Sequence, residues 1–465
     1  MKRLSMFVLL ALLVHAAPAI ARNSFKEVDL VSDLSGRAAH LDANLINPWG
    51  ILAGPEGRVR VSAANAGLST IYSASGIKLT PTITIPPAGS GSPTGLVPNR
   101  SGSDFVVTSA GKSRSSRLIF ASEDGSISGW NPQVDANNAI LAVSTPDGVY
   151  KGLALGRKGK QSYLFAANFH AGTVDVFDGH FAPVSWPGAF LDPALPAGYA
   201  PFNIANLDGR LYVSYAKQKP DRHDDEAGPG FGYIDVYTSG GQLQGRLVSA
   251  GPLNAPWGMA LAPEGFGSFG GALLVGNFGD GVINVFNPKT GRFLGHLNDG
   301  SGNAISIEGL WGLAFAKSGE SELEVDESPT LYFSAGIEDE SHGLLGTLSP
   351  TTRSEHDVRA IVQSIAPEQA ALRVSILGAN PGRLSDGGGI RFRITTPTPA
   401  PVRLQVFDVS GRAVAEPVRA DLAAGDAVVN WDGTDSRGTR VSAGIYFYRA
   451  ISAGHVATGR LLLMP

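Results

Sequence analysis

Cysteine is absent from all 465 positions, which excludes a disulfide scaffold, thiolate zinc sites, iron–sulfur clusters and cysteine nucleophiles. Charge of neither sign dominates. The chain has 37 Lys and Arg against 41 Asp and Glu, and the formal charge of −4 leaves no basic footprint for nucleic acid. No apolar run reaches the ~20 residues that a bilayer span requires, so no membrane-crossing helix is expected. Helical periodicity is nearly missing between residues 22 and 350. In excess are 59 Gly and 30 Pro, while the hydrophobic fraction stays at 43%. Many turns combined with many apolar residues describe a large all-β protein, not a disordered or collagenous chain.

The N-terminus carries an address. Met1-Lys2-Arg3 is a basic start, Leu4 to Val14 is apolar, and Ala19-Ile20-Ala21 has the small-x-small pattern read by signal peptidase. Residues 1–21 are therefore expected to be a cleaved signal peptide. The remaining chain is expected to be exported: periplasmic, cell-surface or secreted.

A short signature recurs along most of the chain: Pro48-Trp49-Gly50-Ile51, Pro93-Thr94-Gly95-Leu96, Tyr150-Lys151-Gly152-Leu153, Pro201-Phe202-Asn203-Ile204, Pro256-Trp257-Gly258-Met259 and Leu310-Trp311-Gly312-Leu313. Each is followed by an apolar run, a Gly-bearing turn and a second apolar run, as in Tyr163–Asn168 with Gly172–Phe177. This patterning marks β-hairpins. Six units of roughly 50 residues with about four strands each describe a six-bladed β-propeller over residues 22–350. Asp29-Leu30-Val31-Ser32 leads into Pro48-Trp49-Gly50 as Arg246-Leu247-Val248-Ser249 leads into Pro256-Trp257-Gly258. The N-terminal strand is thus expected to complete the last blade and remove an open edge.

In a propeller the innermost strands begin at one face, called the top here. The hairpins between second and third strands reach that same face. Those hairpins carry Asn65, Glu123-Asp124-Gly125, Asn168-Phe169-His170, Asp221 to Glu226, Asn277-Phe278-Gly279-Asp280 and Glu338-Asp339-Glu340. The top rim is expected to be acidic and amide-rich, with Trp49, Trp257 and Trp311 at the channel mouth.

The segments Asn47–Gly50, Glu123–Trp130, Tyr150–Ala154, Pro196–Asn203, Leu253–Gly258 and Gly276–Gly281 resemble an exported bacterial propeller family associated with PEP-CTERM sorting genomes. The resemblance covers residues 28 to about 349. It implies a propeller outside the cytoplasm and no known reaction.

Residues 351–370 break the pattern and read as a linker. In 371–465 short alternating strands return: Ile390–Ile394, Val402–Phe407, Ala427–Trp431, Gly444–Arg449 and Gly459–Leu463. Such strands at near-even spacing read as an immunoglobulin-like β-sandwich. Asn380-Pro381, Val402 to Asp408, Gly411-Arg412, Trp431-Asp432-Gly433 and Ser442 to Arg449 resemble the immunoglobulin-like domain of the flagellar hook-capping protein and C-terminal modules of type IX secretion cargo. That resemblance implies a device for secretion or surface attachment, or a spacer, with secretion or cell-surface machinery as partner.

The chemistry is less marked. P-loop, H-E-x-x-H and G-x-S-x-G motifs are missing. Gly265–Gly270 matches a dinucleotide pattern by letters, but a strand follows it where a helix is required. The top face is expected to hold a small-molecule, glycan or protein ligand through Trp49, Asn65, Asn168, His170, Trp257, Asn277, Asp280 and Trp311. No cofactor is assigned with certainty. Glu123, Asn168 and Asn277 occupy matching positions in three blades and would offer oxygens to calcium. By analogy of fold, lactonases of the gluconolactonase type use such a cage. The same residue types also serve hairpin turns, and turn chemistry accounts for them unaided. The three Trp could stack a ligand or plug the channel, and packing is the simpler account. A non-enzymatic binding or scaffold propeller is therefore the first reading, and a metal-dependent hydrolase the second.

Overall fold

The structure, a computed structural model, describes residues 24–54, 57–87, 91–316, 329–351, 372–377, 382–383, 390–396, 398–452 and 455–464. The expected signal peptide, the linker from residue 352 onward and Asn380-Pro381 lie outside these residues. Apart from two short 3-10 turns, every regular element among them is a strand. Two compact units result, Met1–Thr352 and Arg353–Pro465.

The first unit is a β-propeller. Four sheets follow directly in chain order, each beginning with a signature segment: Pro48–Ala53 through Lys78–Thr84, Pro93–Pro98 through Ile140–Ser144, Tyr199–Leu207 through Leu243–Ser249, and Pro256–Leu261 through Phe293–His296. Between the second and third of these lies a sheet with only three strands, Tyr150–Lys158, Gln161–Asn168 and Thr173–Asp178. Its missing fourth strand has a local cause. Pro183, Pro187, Pro193 and Pro196 follow, and Pro cannot donate to a ladder. One isolated bridge, Phe177 to Pro183, stands in for that strand.

The last sheet closes the ring. Leu310–Phe315, Leu331–Ala335 and Leu344–Pro350 come from the end of the unit, and Phe25–Ser32 pairs antiparallel with Leu344–Pro350 in a register running from Phe25 opposite Pro350 to Ser32 opposite Leu344. The inner strands lie side by side around the ring, and Leu310–Phe315 returns to pack on Pro48–Ala53. Among the described residues, apolar clusters fill the seams between neighbouring sheets. At the closing seam Leu30, Val31 and Leu345 pack with Val59, Val61 and Tyr72. The seams rest on hydrophobic burial, worth roughly 25 cal/mol per Å² of apolar surface.

The recurring Gly now has a steric reason. A Cβ on Gly258 would lie 2.5 Å from the Trp311 carbonyl oxygen, and one on Gly312 would lie 2.5 Å from that of Trp49. Each signature Gly therefore sits where the next inner strand passes closest, so the third letter of the signature is a contact position. Where the fourth signature has Asn203 instead, its amide donates 2.7 Å to the Trp257 carbonyl and ties two blades together. Asn47 and Ala255, which precede two of the signature prolines, both adopt left-handed backbone (φ 46° and 47°).

The second unit is a two-sheet sandwich. Arg373–Leu377, Ile390–Thr396 and Gly425–Trp431 form one sheet. Gly382–Arg383, His455–Met464, Gly444–Ser452, Ala400–Phe407 and Ala413–Leu422 form the other. Ile390, Phe392 and Ile394 alternate with exposed neighbours, and they share a core with Leu404, Trp431, Tyr446 and Tyr448. Ala413–Leu422 is a strand that the sequence reading passed over, because Pro417 interrupts its pattern. The structure places it at the sheet edge, where Pro is tolerated.

Candidate functional site

The mouth of the channel is closed by indoles. Trp49 and Trp311 stack with ring centroids 3.4 Å apart, and Trp257 meets both edge-on at 5.9 and 5.8 Å. Their exposures are 2%, 1% and 5%. Trp311 Nε1 donates to Asn47 Oδ1 at 3.0 Å, and Trp257 Nε1 donates to the Lys151 carbonyl at 3.0 Å. The three rings form a layer across the channel. Further along the inner strands lies a cavity of about 420 Å³ lined by Gly50, Gly95, Leu153, Asn203, Gly258 and Leu313. On the top side lies a cup of about 460 Å³.

The cup is the chemically distinctive region. Its walls include Glu123, Lys151, Lys219, Asp224, Asp225 and Glu340, and its base includes Trp49, Trp311 and Phe278. Phe278 stacks on Trp311 at 4.0 Å and stays half-buried, so it is the accessible aromatic surface. Lys151 occupies the place that Trp holds in three other signatures, and that substitution puts a cation on the axis. It is 1% exposed, forms an ion pair with Glu123, reaches Asp224 Oδ1 at 3.5 Å and lies 5.1 Å from the centre of the Trp49 ring. Ser92 donates to the other Glu123 oxygen at 2.8 Å.

The carboxyl groups differ in environment. Burial pushes Asp225 up to about 6, against the lowering charges of Lys151 and Lys219. Asp225 is 8% exposed, and its Oδ2 has no hydrogen-bond partner among the described residues. Glu340 is also raised, first by burial and then by the charge of Glu123, although Asn47 Nδ2 donates to it at 2.7 Å. For Asp224 burial acts upward, but the hydrogen bond from His223 and the charge of Lys151 outweigh it and hold the group below its usual range. Glu340 sits on a strained turn: Glu338, Asp339 and Glu340 all have left-handed backbone, at φ 52°, 53° and 64°. Each such non-Gly residue costs on the order of 1 kcal/mol, and strain of this kind collects at functional surfaces.

The residues expected from sequence separate into two groups. Trp49, Trp311, Asn65 and Glu123 line the cup. Asn65 donates 2.8 Å to the Glu340 carbonyl and accepts from Asn47. Trp257 belongs to the indole layer and lines the cavity beneath it. Asp280 lines an adjoining cavity, accepting from Asn277 at 3.0 Å. His170 lies half-buried on the hairpin after Asn168.

Of the calcium set expected from sequence, Glu123 lines the cup, while the two Asn side chains make hydrogen bonds within their own surroundings. Asn168 donates to Asp175 at 2.9 Å and accepts from the Val149 and Ala171 amides, so it braces its own hairpin. Asn277 donates to the Pro252 carbonyl at 2.8 Å and to Asp280. Glu123, His223 and Asp224 do bring ligand atoms within 4.8 Å of one another, but the Lys151 ammonium pairs with both carboxylates there. Lys151 therefore competes with any divalent ion for both carboxylates.

Lys151, Asp225, Glu340 and Phe278 line the cup beside Asn65 and Glu123 but were not among the ligand residues expected from sequence. For Lys151 the signal was present, as a Lys standing in the Trp column of the repeat.

Fold and site together define the class: a β-propeller with an acidic, aromatic-based cup, joined to an immunoglobulin-like module. Residues 382–454 match the FlgD Ig-like domain family. The chain belongs to the family of the uncharacterized proteins L690 and R648 of Acanthamoeba polyphaga mimivirus. It is 34% identical to L690 over 343 residues, covering 71% of this chain and 87% of that one. The match to R648 is 34% over 344 residues, with 71% and 82% covered. Among solved structures it is similar to virginiamycin B lyase from Staphylococcus aureus (13% identity, 70% of this chain, 99% of that one, TM-score 0.38). It is also similar to the PQQ-bound aldose sugar dehydrogenase from Streptomyces coelicolor (15%, 71% and 99%, TM-score 0.40). At these values the likenesses bear on no residue of the cup.

Proposed function

We propose that the chain is an exported binding propeller, of the kind found in PEP-CTERM genomes, whose ligand face is the top of the ring. Its C-terminal FlgD-like domain serves sorting or attachment at the cell surface. One observation carries the binding reading. The Trp49, Trp257 and Trp311 layer converts an open channel into a closed-ended cup, and that cup is lined by Asp225, one of whose buried carboxylate oxygens has no partner among the described residues. A cavity with a few convergent polar groups and perturbed carboxyls is the default binding site of a fold.

The indoles beneath the cup give a direct assay. Titration of the full chain with a panel of glycans, peptides and small cations, followed by intrinsic Trp fluorescence, is expected to show a saturable change for at least one class. No response to any member removes the reading. Export is checked by N-terminal sequencing of the protein made in a Gram-negative host, with Arg22 as the expected first residue.

The second reading is a divalent-metal-dependent hydrolase of the lactonase sort. The observation in its favour is the approach of Glu123, His223 and Asp224. It requires chelator-sensitive turnover of a lactone panel that Glu123→Gln abolishes, and the absence of such turnover discards it.

A further inference from the structure

We propose that the cup binds a small linear polyamine, a methylene chain carrying two or three ammonium groups. The proposal rests on the reading of the top face as a ligand face and names the chemistry of the ligand.

Charge is concentrated there beyond what the chain as a whole carries. The cup is walled by Glu123, Asp224, Asp225 and Glu340. An adjoining cavity of about 550 Å³ shares Lys219, Phe278 and Glu340 with it and adds Asp280, Glu308 and Asp339. Against these seven carboxyls stand Lys151 and Lys219, in a protein whose formal charge is only −4. Lys151 is already engaged by Glu123 and Asp224. Glu340, Asp280 and Glu308 accept only from neutral donors, Asn47, Asn277 and the Glu338 amide among them, so their charge is not offset by those bonds, and a cavity lined by one sign of charge attracts the opposite sign.

Asp225 supplies an independent observation. It lines the cup, is more than nine-tenths buried, and leaves Oδ2 without a donor among the described residues. A buried carboxylate without a partner is costly, and a ligand bringing N–H donors relieves that cost. An ammonium with three donors meets the need of Asp225 and Glu340, whereas calcium takes six to eight oxygens that the cup does not have free.

The spacer has its own complement. Phe278 stands between the two cavities and lines both. An aromatic wall flanked by two acidic hollows fits methylenes flanked by ammonium groups, with a cation–π contribution at either end.

The test is isothermal titration of the full chain with spermidine and with propylamine, at low and at physiological salt. Spermidine is expected to bind, with affinity falling as salt rises. Asp225→Asn is expected to weaken spermidine by tenfold or more, the loss of about one charge-assisted hydrogen bond. Glu308→Gln is expected to weaken spermidine while leaving propylamine unchanged, because only the longer ligand reaches the second cavity. Far-ultraviolet circular dichroism on each variant shows that it is folded. Absence of spermidine binding at low salt overturns the proposal, as does equal binding by Asp225→Asn. Binding of a lysine-rich peptide without binding of spermidine also overturns it and assigns the face to a protein segment. If spermidine fails while Trp fluorescence still responds to another ligand, only this inference falls. If neither responds, the binding reading falls as well.

Discussion

Replacing Asp225 with Asn should make the protein more stable at neutral pH while it weakens ligand capture. The carboxyl is raised by burial from 3.8 to about 6, so between those values the folded protein holds a proton that the unfolded chain has released. The sign follows from linkage: a raised acid destabilises progressively as pH climbs from about 4 to about 6, and the effect is constant above. Roughly two pKa units at ~1.36 kcal/mol each give a cost of about 3 kcal/mol at pH 7, to order of magnitude. The groups setting this value are Lys151, Lys219 and Asp224. Asn presents no ionisable group, so the variant escapes that cost. Asp235, also raised to about 6, contributes equally to both proteins and cancels in the difference. The assay is urea unfolding followed by Trp fluorescence at a series of pH values, since five of the six Trp lie in the propeller. Near pH 4 the two proteins should coincide, and above pH 6 the variant should lead by up to about 3 kcal/mol. A gap that does not change with pH, or a variant less stable at pH 8, refutes the argument that Asp225 is a strained, partner-seeking carboxyl. Saturating ligand should stabilise the wild type more than the variant, because it binds the native wild type more tightly.

Three further outcomes are expected. Trp311→Ala removes a 1%-exposed ring stacked on both Trp49 and Phe278, and should cost about 3–5 kcal/mol in urea unfolding; a loss below 1 kcal/mol would remove the indole layer as a structural plug. Lys151→Ala should destabilise by roughly 3 kcal/mol because it leaves Glu123 and Asp224 facing each other, and the double variant with Glu123→Gln should recover part of that loss; strict additivity would deny the pair its coupling. Deleting Ser24 to Ser32 removes the strand that pairs with Leu344–Pro350, and should expose that edge and drive association visible by size exclusion; a stable monomer with an unchanged melting temperature would contradict ring closure by this strand.

Much of the fold was legible because its signals are local. A blade is a set of adjacent hairpins, so period-2 patterning and Gly-bearing turns announce it within about 50 residues, and the repeat multiplies the signal. The FlgD-like module was equally readable from alternating strands and turn residues. What escaped were features decided by breaks in the local rule: the three-stranded sheet before the proline-rich segment, and the edge strand interrupted by Pro417.

The candidate site was legible only as a neighbourhood. The sequence by itself determined that Asn and acidic residues crowd the rim hairpins and that Trp recurs where inner strands begin. It could not determine which of those side chains turn inward, because that depends on backbone several blades away. Asn168 looks like a ligand in one dimension, and in the fold it braces its own hairpin, while Asn277 ties its hairpin to the Pro252 carbonyl. Lys151 reads as an irregular letter in a repeat, and only the packing of three successive blades brings it against Glu123, 28 residues earlier, and Asp224, 73 residues later. Burial decides the rest: the same carboxyl that would be an ordinary exposed Asp sits at 8% exposure with one oxygen lacking a donor among the described residues. Desolvation is a property of the assembled face, so no single hairpin encodes it.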